Sequence, residues 1–257
     1  MDELSRAVAR TKKYADKYGQ KLDDKQLFLR LISKKVFHFF EIKNKGETSN
    51  KKNYWKYKVK LAESLVKTHL SKMKGIKLVG ITGSAASEAA KQNEDIDILI
   101  VTRGNELWWW RFYLRFYVWW QKIPHRRFNK TQKKDEFCFN LWLDDLNLTI
   151  PLEKRNLKNA SDMIMMKVIF DKESCYQEML YKNRWVEKYL ATGYRERMKI
   201  DRIVDKKINS KVNNENYFIK KAINRILFWG QYLYMWSKVR KKIRHINEGQ
   251  AFFHKND

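Results

Sequence analysis

Two carboxylates one residue apart, Asp95 and Asp97, open the β-branched run Ile96–Thr102 (IDILIVT). Residues two apart on a strand point the same way, so both acids share a face and can bridge divalent cations between them. Upstream, Gly83-Ser84 leaves another apolar run, Ile76–Thr82 (IKLVGIT), and ten residues separate Ser84 from Asp95. A Gly-Ser turn that leaves a strand and enters a helix offers backbone N–H groups and a hydroxyl to the oxygens of a triphosphate. Surface acids are usually just solvated; the order of strand, turn, helix and second strand gives this pair a chemical reading. Other chemistries are poorly served. The five histidines form no HExxH or paired metal spacing, which argues against a zinc hydrolase. Cys138 and Cys175 stand far apart with no CxxC, so neither a disulfide framework nor a zinc site is indicated, and a reducing cytoplasm is the expected setting.

The flanking segments predict what must hold these residues. Strand Ile76–Thr82, helix Ser84–Lys91, strand Ile96–Thr102, helix Leu107–Gln121 and strand Phe137–Leu143, closed by Leu148–Pro151, make an alternating centre. Ahead of it, apolar spacing predicts helices over Leu4–Tyr18 and Asp24–Lys34, with Asp23 or Asp24 as N-cap. An extended run over Val36–Ile42 would complete a small winged-helix-like unit, followed by a polar wing tip or linker, Asn44–Asn53, and a helix over Tyr54–Met73. Beyond Asn159 the periodicity is helical throughout: Ala160–Phe170, Tyr176–Leu190, Tyr194–Asn209 and Tyr217–Arg244. The expected fold class is α+β, with a mixed-sheet core over residues 54–155 between a helical leader, 1–53, and an all-helical C-terminal region, 156–257.

The chain of 257 residues, 44% hydrophobic with ten Trp, has ample apolar surface for a core, so wholesale disorder is excluded. A formal charge of +26 favours phosphate-bearing partners, although 39 of the 55 basic residues are Lys and coding bias contributes to such a count. Met1–Arg10 carries charges throughout and lacks the apolar segment of a secretory signal. No run reaches the length of a bilayer span. Leu107–Gln121 is broken by Arg111 and Arg115, and Ile226–Ser237 is too short, so a soluble or at most peripheral protein is expected.

Gly-Ser, ten residues, then Asp-x-Asp at the head of an apolar strand resembles the signature of the polymerase-beta-type nucleotidyltransferase superfamily. The wider chain resembles a little-characterised prokaryotic branch of it: a leader reading Thr11, Tyr14, Asp16 and Leu22, and a later Cys-x-Asn strand, Cys138-Phe139-Asn140. Two positions depart from the common form: Ser87-Glu88, where Arg-Gly often follows the turn, and Glu94, where Ser often precedes the acids. The resemblance implies a nucleotidyltransferase-type sheet and transfer of a nucleoside monophosphate from an NTP to an acceptor hydroxyl, with Mg²⁺ or Mn²⁺. It further implies Asp95 and Asp97 as catalytic metal ligands and Gly83 and Ser84 as the binding turn for the β/γ-phosphates.

The superfamily usually supplies a third carboxylate from the strand after the long insertion. In FCFNLWLDD, strand alternation would put Cys138, Asn140, Trp142 and Asp144 on one face, with Asn140 where that Asp is expected. Asn can ligate through its carbonyl oxygen but cannot act as a base. Asn140 is therefore the expected third catalytic position and Asp144 the competing one.

Gln121–Asp135 holds six Lys/Arg and His125, suited to phosphates beside the cleft or simply to solvent. In Leu107–Gln121 five Trp interleave with Arg111 and Arg115. Packing on the sheet is the favoured role, over base stacking or contact with a membrane surface. Basicity points to RNA or another nucleic acid as acceptor; residue types do not distinguish that from a protein side chain or a small alcohol, nor one NTP from another. The rival is a catalytically impaired nucleic-acid-binding protein that keeps the fold, consistent with Asn140.

Overall fold

The computed structural model describes residues 2–47, 54–126, 133–199, 217–239 and 245–253. Helix α1 (Glu3–Asp16) is capped by Asp2, whose carboxylate accepts from the Ser5 N–H at 2.6 Å. Thr11, on its buried side, donates to the Ala7 carbonyl and accepts from the Ile32 N–H, tying α1 to the chain beyond the next helix. α2 (Asp24–Leu29) opens with a capping box between Asp23 and Gln26. It is shorter than expected, because the chain turns at Arg30 to let Ser33 bridge to Leu190. Over Val36–Ile42 the expected extended run is replaced by a helical turn, α3 (Phe39–Ile42), which the Glu41 carboxylate starts by accepting from the His38 N–H. Of the wing-tip segment, residues 48–53 lie outside the described residues.

The centre runs α4 (Tyr54–Thr68), β1 (Ile76–Ile81), α5 (Gly83–Ala86), β2 (Ile96–Thr102), α6 (Leu107–Trp120) and β3 (Phe137–Asp144). Then come α7 (Leu157–Met165), β4 (Lys167–Asp171), α8 (Cys175–Lys182), α9 (Glu187–Lys199), α10 (Tyr217–Val239), β5 (His245–Ile246) and β6 (Gln250–Phe252). The fold is mixed α+β, with a six-stranded sheet in the order β4-β1-β2-β3-β6-β5. β2 and β3 are parallel, joined by a crossover containing α6; the other described pairs are antiparallel.

The C-terminal region is helical over most of its described length, yet not entirely as expected. Where a helix was expected to continue to Phe170, α7 stops at Met165 and Lys-Val-Ile-Phe-Asp pairs with β1 instead. Its Val, Ile and Phe suit an extended chain with a ladder available to it. β5 and β6 form a short hairpin, and β6 covers the edge of β3. Strands from beyond residue 155 thus complete the sheet of the expected 54–155 core. The Tyr194–Asn209 and Tyr217–Arg244 helices are seen through Lys199 and Val239; residues 200–209 and 240–244 lie outside the described residues.

Two apolar layers enclose the sheet. One face, with Leu78, Leu99, Val101 and Leu143, packs on the leader and on α7, α8 and α9. The other, with Val79, Ile98, Ile100 and Trp142, packs on α4, α5, α6 and α10. β2 is apolar on both faces beyond Asp97, as a strand covered on both sides must be.

Candidate active site

Asp97 lies in β2 with its backbone carbonyl accepting from the Thr82 N–H at 2.9 Å, so the end of β1, the turn after it and the acidic pair are held side by side. Gly83 occupies that turn with φ +65°, and a Cβ there would come within 2.6 Å of Asp97 Oδ2. Glycine is needed twice over: for the left-handed backbone and for the carboxylate's close approach. Helix α5 ends at Ala86, short of the expected Lys91, and Glu88 takes φ +63°. That explains why glycine suits this position of the signature. Glu88 is held there by Gln26 Nε2 at 2.9 Å and Lys167 Nζ at 2.7 Å, which join the leader and β4 to the turn.

Asp95, buried, immediately precedes β2, and its Oδ2 receives Arg126 Nη1 at 2.7 Å. Arg126 comes from the basic segment before β3 and is fixed by the Arg126 N–H to the Phe137 carbonyl at 2.9 Å. The rest of that segment, 127–132, lies outside the described residues. Single ligand atoms of Asp95, Asp97 and Cys138 all lie within 4.8 Å of one another. Cys138 pairs across the parallel ladder with Asp97, which brings its thiol beside the two carboxylates. Enclosure of Oδ1 and the neighbouring Asp95 charge push Asp97 up to about 7. Burial likewise pushes the Cys138 thiol up, so it stays protonated near neutrality.

Strand alternation across β3 is broken. Asp97 pairs with Cys138 but Leu99 pairs with Leu141, so β3 carries one extra residue between them, a bulge. Past it the parity flips. Trp142 packs with Ile100 on the far face, and Asp144, opposite Thr102, lies on the face away from Asp97. Asp144 is spent on structure there: it accepts from the N–H groups of Asn105 and Leu146 and from Asn147 Nδ2 at 2.7 Å. The expected single face Cys138, Asn140, Trp142, Asp144 is therefore corrected. Asn140 lies within the bulge, and its Nδ2 contacts Cys138 Sγ, which keeps its amide at the cluster.

The loop delivering Asp95 hangs on a side chain that sequence reasoning missed. Lys58 of α4 is 1% exposed, and its ammonium donates to the Glu94 carbonyl at 2.6 Å, to Asp135 Oδ1 at 2.8 Å and to the Gln92 carbonyl at 3.4 Å. It clamps the approaches to both β2 and β3. As one lysine in a Lys-rich helix it carries no sequence signal. Cys138 was legible only as part of a motif, since its place opposite Asp97 depends on a parallel pairing.

Asp97 and Gly83 line a cavity of about 240 Å³ on the leader side of the sheet. Lys154 and Asn156 line it from the turn before α7 and Lys158 from that helix's first turn, and Leu99 and Met166 form part of its apolar wall. The hard carboxylate oxygens of Asp95 and Asp97 suit a divalent cation such as Mg²⁺ or Mn²⁺, with the Asn140 amide as a further oxygen source. The protonated Cys138 thiol does not.

The pairing of β1 with β2 thus sets the acidic pair beside the glycine turn at the end of the neighbouring strand. Residues 63–161 match the family model of the nucleotidyltransferase domain, consistent with the polymerase-beta-type superfamily. The match spans β1 to β3 and the start of α7; β4, β5, β6 and α10 fall outside it. No curated protein and no solved structure matches the chain.

Proposed function

We propose that the protein transfers a nucleoside monophosphate from an NTP to an acceptor hydroxyl, with Asp95 and Asp97 holding Mg²⁺ or Mn²⁺ and Gly83 and Ser84 receiving the β/γ-phosphates. The observation that carries this reading is the meeting of Asp97, the Gly83 turn, Lys154 and Lys158 around one cavity. Bound divalent ions would offset the charge that develops on the transferring phosphoryl group. The chain's own part is positional. β2 and the Lys58 clamp fix the carboxylates, the absent Cβ of Gly83 leaves room beside Asp97, and Lys154 and Lys158 add positive charge at the far wall. Arg126 stands in as the cation on Asp95 and is placed to pass to a phosphate oxygen. Asn140 takes the third position as a neutral ligand, so the acceptor's proton goes to a carboxylate of the pair or to solvent.

RNA is the acceptor best matched to a charge of +26 and to the cations of Gln121–Asp135. A second reading, a nucleic-acid-binding protein with impaired chemistry, is favoured by Asn140 and by Asp144 lying on the wrong face to replace it. Labelled NTPs, Mg²⁺ or Mn²⁺ and total RNA separate the two. Label transfer that Asp95→Asn and Asp97→Asn abolish, and that Asn140→Asp raises, supports the enzyme. Protein that neither transfers label nor gains thermal stability with NTP and Mg²⁺ refutes it.

A further inference from the structure

On the sheet face away from Asp97, α10 meets the fold along one stripe. Asn224 Oδ1 accepts from the Trp108 N–H, Phe228 packs edge-on to the Trp108 ring, and Gln231 and Met235 receive the buried Arg111. The outward side of the helix also carries large apolar side chains, interspersed with cations. Ile219, Ile226 and Leu233 of α10 are 60%, 71% and 65% exposed, and Phe116, Trp119 and Trp120 of the adjoining α6 are 53%, 59% and 66% exposed. Together these exposed side chains make a broad apolar patch, of the kind that marks an interaction surface.

We infer that this face of α6 and α10 docks in the headgroup region of an anionic phospholipid bilayer. Neither helix contains an acidic residue, while Arg115, Lys220, Lys221 and Arg225 are exposed among the apolar side chains. Lys220 and Arg225 reach Glu106 and Glu248, and remain 46% and 65% exposed. Cations at the flanks of a Trp-, Phe- and Ile-bearing face complement acidic headgroups above acyl chains. A nucleic acid uses rings for stacking and has no use for exposed Ile and Leu. A second copy would bring another +26 against the first. Among the described residues no helix is long and apolar enough to cross a membrane, so α10 lies along the surface. The cavity with Gly83 and Asp97 is on the opposite face of the sheet and stays open to solvent when the protein is docked.

The test is flotation of the whole protein with phosphatidylglycerol–phosphatidylcholine vesicles and with pure phosphatidylcholine vesicles, with and without brominated acyl chains. The wild type should float with the anionic vesicles and bind the neutral ones about tenfold or more weakly. Its Trp emission should be quenched by the brominated chains. The variant Phe116→Ser/Trp119→Ser/Trp120→Ser alters exposed side chains only, so its far-UV dichroism should match the wild type while anionic-vesicle affinity falls about tenfold or more. Three results would overturn the inference: no flotation, flotation without quenching and unchanged in the triple variant (adsorption by net charge alone), or a dimer in light scattering that the triple variant splits while vesicles are ignored. Loss of RNA binding in the triple variant with vesicle binding intact would also overturn it. Each outcome is independent of nucleotidyl transfer.

Discussion

Replacing Lys58 by Met removes a buried ammonium and keeps most of its apolar stem. Three acceptors lose their donor: the Glu94 and Gln92 carbonyls and Asp135 Oδ1. At 2.8 Å the Lys58–Asp135 attraction is about 6 kcal/mol gross at an effective dielectric of about 20, before the cost of burying the lysine is subtracted. Breaking one side of a buried pair typically costs about 3–5 kcal/mol, because the stranded charge stays buried. Asp135 keeps 19% of its side chain exposed and has Lys134 at 4.0 Å, which softens that penalty. The expected loss is therefore at the lower end, about 3 kcal/mol. Urea unfolding of wild type, Lys58→Met, Asp135→Asn and the double variant measures it. The double variant should be less destabilised than the sum of the singles by about 1 kcal/mol or more, since each single change strands the other's partner. The same variants should lose thermal stabilisation by NTP and Mg²⁺, because the freed carbonyls flank Asp95. A Lys58→Met loss below about 1 kcal/mol, with additive singles, would refute the clamp.

Gly83→Ala should cost about 1–2 kcal/mol for the left-handed backbone alone and also push Asp97 aside, so NTP–Mg²⁺ stabilisation in a thermal-shift assay should fall by more than the protein's own melting temperature explains. Asp97, raised to about 7 in the fold, keeps a proton that the unfolded chain releases from about pH 4 upward. Its ionised form is destabilising without metal, and that cost grows from about pH 4 and is complete above about pH 7. Asp97→Asn should accordingly stabilise the metal-free protein at pH 8, with the gain vanishing near pH 4 and reversing in saturating Mg²⁺; denaturant midpoints across that range check the sign. Arg126→Gln should raise Mn²⁺ affinity in titration calorimetry without nucleotide, because a cation no longer competes for Asp95; an unchanged affinity would remove Arg126 from the site.

Much of the centre was legible because its signals are local. Ile96–Thr102 is a strand over the span its β-branched residues suggest, and the Gly-Ser turn and acid pair lie where their spacing implies. What escaped depends on partners remote in the chain. Lys167–Asp171 extends because β1 offers it a ladder, and Phe39–Ile42 coils because Glu41 caps it and Phe28 packs on Phe39. Asp144 was misplaced by one inserted residue, since strict alternation across Phe137–Asp144 does not survive the bulge. Arg111 reads as a break in an apolar run, yet it is buried between the Trp108 and Phe253 rings, and burial lowers its pKa to about 9.

The pairing of β3 with β6 also has a consequence in time. Leu141 and Phe252, opposite each other in the ladder, are 111 residues apart in the chain. At about 5–20 residues per second, a ribosome needs roughly 6–22 s to make that interval. Throughout it the strand bearing Cys138 and Asn140 has its parallel partner β2 on one side and bare N–H and C=O groups on the other. Such an open edge invites pairing with another nascent chain. Slower translation between α7 and α10 should therefore lower the soluble yield, and supplying residues 245–253 early, in a circularly permuted chain, should raise it.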